Sequence, residues 1–298
     1  VSVTLLAIMQ AVARALDDEG TYPSSAATST TATFGVLANS TSSASTRRYD
    51  GRYLLVASGT GIGQQRRINP NTYVPSTGAV TVNAAWTINP GTNDLILMAS
   101  LFPPFEGLTP GEDTSYRTLI NRGLEKLLVP RRVTLSITTS DSYALTTWPW
   151  LDRDARLLAV LEPSVQTGRQ AVDASWRGPR MIVSGGTGNV LTLKTPFASA
   201  SGSLTLETLS PVSRWINGAE SSAGLVSLTD TAEVTIPDAI TAILPEAYQA
   251  LMARNNGNPT GEWARKLADA RANAAALRYY DDTLTKPAAP APAAAEAA

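Results

Sequence analysis

Histidine and cysteine are both absent from the 298 residues of this chain. Without imidazole or thiol there is no Ser-His-Asp or Cys-His nucleophile, no disulfide, and no zinc site of the usual Cys/His kind. Charge is scarce as well. Charged residues make up 16% of the chain, against roughly 25% in typical soluble domains. Surface that would ordinarily be charged is therefore Ser, Thr, Asn, Gly and Ala, or is covered by partners. With 24 Lys+Arg against 25 Asp+Glu the net charge is −1, which gives no global attraction to nucleic acid or membrane. No apolar run reaches the roughly 18 residues that a membrane-spanning helix needs. The stretch from Val3 to Val12 has no preceding positive charge, and Arg14, Asp17, Asp18 and Glu19 follow where a signal peptide would place small residues. It reads as a helix of a mature, soluble protein. The lack of cysteine leaves the redox compartment open.

What is present suffices for about two compact units of roughly 100–200 residues each, and an apolar content of 43% is that of a globular protein. Leu5, Leu6, Ile8, Met9, Val12 and Leu16 recur at helical spacing, so residues 3–19 read as one amphipathic helix stopped by Gly20 and Pro23. Residues 21–46 hold no charge and are dominated by Ser, Thr and Ala, which suits strands and loops or in part a linker. The apolar knot Phe34-Gly-Val-Leu37 points to a strand. Short strands are expected at Tyr53 to Ala57, Gln65 to Ile68, Ala79 to Val82 and Asp94 to Met98, with Gly-, Asn- and Pro-rich turns between them. Residues 21–104 thus form a small antiparallel β-domain.

A helix over residues 105–130 has a nearly complete start signal. Thr109 stands as N-cap, Pro110 at the first helical position and Glu112 as the capping-box acid. Tyr116, Leu119, Ile120, Gly123, Leu124, Leu127 and Leu128 supply the apolar face before Pro130. Residues 131–236 return to short strands at Val133 to Thr138, Leu157 to Leu161, Met181 to Val183, Val190 to Leu193, Leu204 to Leu209 and Ala232 to Ile236, the pattern of a β-sandwich or jelly-roll-like domain. Trp148, Trp150, Trp176 and Trp215 are expected in its core or rim. Residues 237–285 read as a helical hairpin, irregular near Pro245, whose second helix is capped by Asn258 and Pro259. Residues 286–298 are a Pro/Ala-rich tail that cannot form a core of its own. The fold class is α+β.

Four features are candidates for chemistry or contact. Gly59-Thr-Gly-Ile-Gly63 has the look of a phosphate loop, but a strand and a turn follow it where a dinucleotide fingerprint needs a helix, so a β-turn is expected. Arg47, Arg48, Arg52, Arg66 and Arg67 form a basic cluster opposed only by Asp50. A strand puts Arg66 and Arg67 on opposite faces, and no aromatic residues suited to base stacking are interleaved. Surface arginines that pair with neighbouring subunits are the favoured reading, and contact with nucleic-acid phosphate or an acidic protein ring is the alternative. Asp152 and Asp154 would share a face of an extended segment and could serve a glycosidase or a hard cation, although Arg153 and Arg156 beside them suit a salt-bridged loop better. Trp263, Leu267, Ala270, Ala274 and Leu277 repeat at spacings of four, three, four and three. That seam fits either a hairpin with residues 238–254 or an interface between subunits.

The run Tyr53-Leu-Leu-Val-Ala-Ser-Gly-Thr-Gly-Ile-Gly-Gln-Gln-Arg-Arg-Ile68, then Ser76-Thr-Gly-Ala-Val-Thr-Val82, Ala85-Trp-Thr87, Pro90 and Asp94, resembles a β-module of structural proteins in tailed bacteriophages. In that family a helix similar to Leu119-Ile-Asn-Arg-Gly-Leu124 and a β-rich domain follow. Here Gly123 replaces an alanine-like residue and is expected to weaken the helix slightly. The resemblance spans about residues 47–165. It implies a virion component rather than an enzyme and does not by itself choose the place in the particle; no cofactor or metal is expected, and a place in the neck or tail after assembly in the host cytoplasm is the expectation. No fixed-period repeat of a thin fibre is present. Helices at both ends, the seam and a low-charge surface suit a ring-forming head-to-tail connector or adaptor of twelve or six copies between portal and tail, with DNA proximity left open. A tail-tip, baseplate or fibre-attachment protein is the alternative, followed by a carboxylate-dependent glycan hydrolase.

Overall fold

A computed structural model describes residues 1–18, 20–38, 45–107, 114–137, 142–148, 150–151, 157–161, 175–176, 180–185, 188–193, 202–254, 261–277 and 280. It is a mixture of helices and small antiparallel sheets, divided into a first unit of Val1–Lys126 with Ser213–Ala298 and a second unit of Leu127–Val212. The chain opens with strand β1 (Ser2–Thr4) and turns at once into helix α1 (Leu5–Ala15). The Thr4 hydroxyl fixes that start by accepting the Ala7 N–H at 3.2 Å, so the expected first turn of helix is a strand instead. Leu5, Ile8, Met9, Val12 and Ala13 are its buried stripe. The helix ends before Gly20, because Asp17 takes a left-handed conformation with φ of 55°.

Strands β2 (Thr21–Pro23), β3 (Ala26–Ala27), β4 (Thr31–Thr33), β5 (Tyr53–Val56), β6 (Gln65–Arg67), β7 (Ala79–Thr81) and β8 (Leu95–Ala99) follow. They form two antiparallel sheets, ordered β2-β8-β5-β6 and β3-β4-β7. Phe34, Tyr49, Leu54, Val56, Ile68, Tyr73, Val80, Trp86 and Ile96 belong to a single core that draws on both sheets. Gly35–Leu37 is a 3-10 turn, not a strand. The strand of that region lies just before it, and Phe34, the residue between the two, is fully buried. Helix α2 (Tyr116–Lys126) begins with the Ser115 hydroxyl accepting the Thr118 N–H at 3.1 Å. The expected caps Thr109, Pro110 and Glu112 lie outside the described residues.

The second unit contains β9 (Leu128–Ile137), β10 (Ser142–Ala144), β11 (Leu157–Leu161), β12 (Ser175–Trp176), β13 (Arg180–Gly185), β14 (Gly188–Leu193) and β15 (Gly202–Pro211). Its two antiparallel sheets are ordered β12-β11-β15-β9 and β10-β14-β13. Val133, Leu135, Tyr143, Trp148, Trp150, Leu157, Leu191 and Leu206 form one core between them. β9 pairs with β15 over its full length, from Leu128 opposite Pro211 to Ile137 opposite Gly202. The Val212 N–H then donates to the Leu127 carbonyl at 2.9 Å, so the first and last residues of the unit adjoin.

The chain resumes the first unit with β16 (Trp215–Ile216), β17 (Ala219–Glu220), β18 (Thr231–Glu233), α3 (Ile236–Arg254) and α4 (Glu262–Ala275). The sandwich-like region expected over 131–236 therefore ends at residue 212. The reason is long-range pairing: β18 runs antiparallel to β1, Val3 opposite Ala232, in a sheet ordered β1-β18-β16-β17. Trp215 belongs to that sheet and not to the second core, and the side chain of Trp176 lies outside the described residues. Pro245 sits inside a continuous α3. The expected cap at Asn258 and Pro259 also lies outside the described residues.

Several contacts join the two chain segments of the first unit. Asn121 accepts the Leu225 N–H at 2.9 Å and donates to its carbonyl at 3.0 Å. Glu125 receives Ser213 and pairs with Arg214. Lys126 pairs with Glu246 of α3, their side chains only 6% and 10% exposed. At Gly123 the two helices nearly touch, since a Cβ there would lie 2.7 Å from the Cα of Ile243 and 2.9 Å from the Ala242 carbonyl oxygen. The glycine is thus a condition of α2–α3 contact. Gly123→Ala sets a helix-propensity gain of about 1 kcal/mol against an overpacking cost of about 1–3 kcal/mol. The obstruction is backbone, which cannot swing aside, so the expected outcome is a lower melting temperature. A raised or unchanged midpoint in thermal melts contradicts it.

Candidate functional site

The glycine run is the connection from β5 to β6, as its sequence context predicts. Gly59, Gly61 and Gly63 all have positive φ, at 78°, 79° and 87°. Its amides turn inward: Gly63 N–H donates to the Val56 carbonyl at 2.9 Å and Gln64 N–H to the Gly61 carbonyl at 3.1 Å. Asp94 braces the turn, one carboxylate oxygen accepting the Thr60 hydroxyl at 3.1 Å and the Gly91 N–H at 2.7 Å. A Cβ on Gly59 would lie 1.8 Å from the other oxygen. The Gln64 amide donates to the Ile88 carbonyl at 2.8 Å and accepts the Thr87 N–H at 2.6 Å. Ser58 accepts the Leu95 N–H at 2.9 Å. Trp86 is 4% exposed and donates to the Thr31 carbonyl at 3.3 Å. The motif residues therefore hold turns together.

The arginines divide as strand alternation requires. Arg66 lies 5.2 Å from the Trp86 ring centroid and donates to the Ala85 carbonyl at 2.9 Å. Arg67 belongs to the other face, 5.6 Å from the Tyr53 ring centroid and donating to the Gly51 carbonyl at 3.1 Å. Arg48 and Arg52 sit over the Tyr49 ring at 5.3 and 5.2 Å. Arg47 donates to Asn71 at 2.7 Å. Tyr49 in turn meets Tyr73 edge-on at 4.8 Å. The structure thus brings Arg47, Arg48, Arg52 and Arg67 to one edge of the module and sends Arg66 elsewhere.

The seam of Trp263, Leu267, Ala270, Ala274 and Leu277 faces α3 in part. The Trp263 ring lies 5.8 Å from that of Tyr248 on α3, and Arg271 donates to Gln249 at 3.1 Å. Leu267, Ala270 and Ala274 are buried. Packing of α4 on α3 takes up Leu267, Ala270 and Ala274 within the chain, while Trp263 and Leu277 stay half-exposed. Asp152 and Asp154, with Arg153 and Arg156, lie outside the described residues. Among the described residues there is no group of three or more His, Cys, Asp or Glu placed to hold a metal, and no helix is long and apolar enough to cross a membrane.

One feature carried no sequence signal beyond an isoleucine set between two turn glycines. Ile62 and Gly63 of the β5–β6 turn, Phe105, and Val226 to Thr229 line a cleft of about 300 Å³. Ile62 and Val226 are each 49% exposed at its walls. Gln65 holds Phe105 by accepting its N–H at 2.9 Å, and Arg117 lies over its ring. Beside it, burial pushes the Glu106 carboxyl up, but hydrogen bonds from Ser115 and Thr118 and the Arg117 charge outweigh burial and hold it below the usual carboxylate range. Asp230 fixes the opposite wall by accepting the Val226 and Ser227 N–H groups at 2.8 and 2.7 Å. The lining itself has no titratable side chain, so it suits apolar contact.

Comparison with family models, with curated proteins and with solved structures finds no match for this chain.

Gly59 and Asp94 act as a pair. Gly59→Ala and Asp94→Ala should each cost about 1–3 kcal/mol of unfolding free energy, one by strain and carboxylate displacement and the other by loss of charge-assisted hydrogen bonds. Because both remove the same brace, the double variant should cost clearly less than the sum. Urea unfolding of the four proteins checks this, and strictly additive losses contradict it.

Proposed function

We propose that the chain is a structural virion protein of a tailed phage, a ring-forming subunit of the head-to-tail connector that joins portal to tail. The observation that carries the reading is the use to which the module motif is put. Ser58, Gly59, Thr60, Gly61, Gln64, Trp86, Thr87 and Asp94, the residues of the phage resemblance, are engaged with one another and with neighbouring backbone. A motif that holds geometry suits a protein whose work is geometric, and on this reading it needs no cofactor and no catalytic group.

Two further features favour the reading. Helices from both ends of the first unit gather, with α1, α2 and α4 each touching α3, which suits side-by-side placement about an axis. Ile62, Ile88 and Val226, at 49%, 56% and 49% exposure, surround the glycine turn and the cleft. A neighbouring subunit that covers such a patch gains apolar burial, and a heterologous contact of this sort closes into a ring. Within this assignment the second unit is a β-sandwich-like domain facing a neighbouring neck or tail protein. Native mass measurement and imaging of the full chain, alone and in virions, should show a closed ring of twelve or six copies. Ile62→Asp should reduce ring formation without lowering the melting temperature, since the side chain is exposed. A stable free monomer that is absent from virions contradicts the proposal.

A further inference from the structure

Residues 21–104 carry five arginines against two acids, Asp50 and Asp94, which splits a chain of net charge −1 into a β-module of +3 and a remainder of −4. Such asymmetry marks one part of a molecule for a polyanion that the rest would repel. Within the module the charge is concentrated further. Arg48 and Arg52 flank the Tyr49 ring, Arg67 holds the neighbouring Gly51 carbonyl, and Arg47 is tied to Asn71. The carboxylate of Asp50 accepts the Asn71 N–H at 2.8 Å, so the acid nearest the arginines is built into the same edge as a backbone brace. Arg47 and Arg48 are exposed, and Arg52 and Arg67 are half-buried behind them.

We propose that this edge binds the phosphate backbone of duplex nucleic acid without sequence preference. The aromatic residues beneath the arginines decide against two other partners. Tyr49, Tyr53 and Tyr73 are 2%, 5% and 2% exposed, so they offer no face on which the bases of a single strand could stack. They also offer no aromatic or apolar anchor of the kind that dominates binding between proteins. What remains at the surface is the guanidinium of Arg47 and Arg48, the former already giving one N–H to Asn71, together with the exposed neutral side chains of Ser45, Thr46 and Asn71. That set matches backbone contacts, which come from Arg, Ser, Thr and Asn and carry no sequence information. Rings beneath Arg48, Arg52 and Arg67 limit how far those cations can swing, which lowers the entropy lost on contact. The surface binds in this way whether or not the chain assembles into a ring.

Fluorescence anisotropy of the full chain with a labelled duplex tests the proposal. With about two phosphates engaged by the exposed Arg47 and Arg48, the logarithm of affinity should fall with the logarithm of salt at a slope near −1.8, so that affinity drops on the order of tenfold between about 50 and 200 mM salt. Two unrelated duplex sequences should bind alike, and a single strand of equal length more weakly. Arg47→Glu with Arg48→Glu should weaken binding at least about tenfold at the lower salt and reduce the slope by about two, with an unchanged melting temperature because both side chains are exposed. Any one of four results overturns the proposal. These are no duplex binding at low salt, duplex binding that the double variant leaves unchanged, a single strand bound more tightly than the duplex, and capture of poly-glutamate without capture of duplex.

Discussion

The first unit depends on the approach of α2 to α3. These helices come from opposite sides of an 86-residue excursion, Leu127–Val212, and nothing in the local chain brings them together. Gly123 allows contact by leaving out a side chain that would strike the backbone of Ala242 and Ile243. Lys126 and Glu246 then set the register, since a buried ion left without its partner costs about 3–5 kcal/mol. A hydrophobic pair would hold the helices as well but would tolerate sliding. The ion pair does not. With that contact made, Glu125 meets Ser213 and Arg214 where the chain leaves and returns, and β1 finds β18 at the far end of the same unit.

Much of this was legible because it is local. The strands at 53–57, 65–68, 79–82 and 94–98, the apolar stripe of α1 and the hairpin of α3 with α4 are written in periodicity and turn residues. The glycine turn was legible as a turn for the same reason. Illegible were the contacts that only a fold creates. Residues 2–4 look like the first turn of a helix until β18 pairs with them. Residues 213–236 look like more of the second unit until that same pairing claims them for the first. Gly123 looked like a weak point on helix propensity and is a packing requirement instead. The cleft of Ile62, Phe105 and Val226 joins three segments with no common pattern.

Polar chemistry in the described residues serves mainly to fix backbone. Asp94, Gln64, Asn121, Asp230 and Asp18 each accept or donate across loops, Asp18 receiving Ser100 N–H at 2.8 Å and the Tyr116 hydroxyl at 2.7 Å. Burial and the Asp18 charge hold that tyrosine well above its ordinary pKa, so it stays a neutral donor. Such use explains how a chain poor in charge and without imidazole or thiol keeps defined loops. The arginine edge is the exception, because Arg47 and Arg48 keep exposed guanidinium groups there. Among the described residues, it and the cleft present charge and apolar area to partners.

The most direct test of this architecture is native-state hydrogen exchange of the full chain and its Lys126→Met variant. If one α2–α3 contact holds the first unit together, amides of α2 and α3 share a single opening free energy in the parent. In the variant they lose protection by the same amount, despite the 109 residues between Lys126 and the start of α3 at Ile236. Retention of full protection in α3 while α2 opens would contradict it.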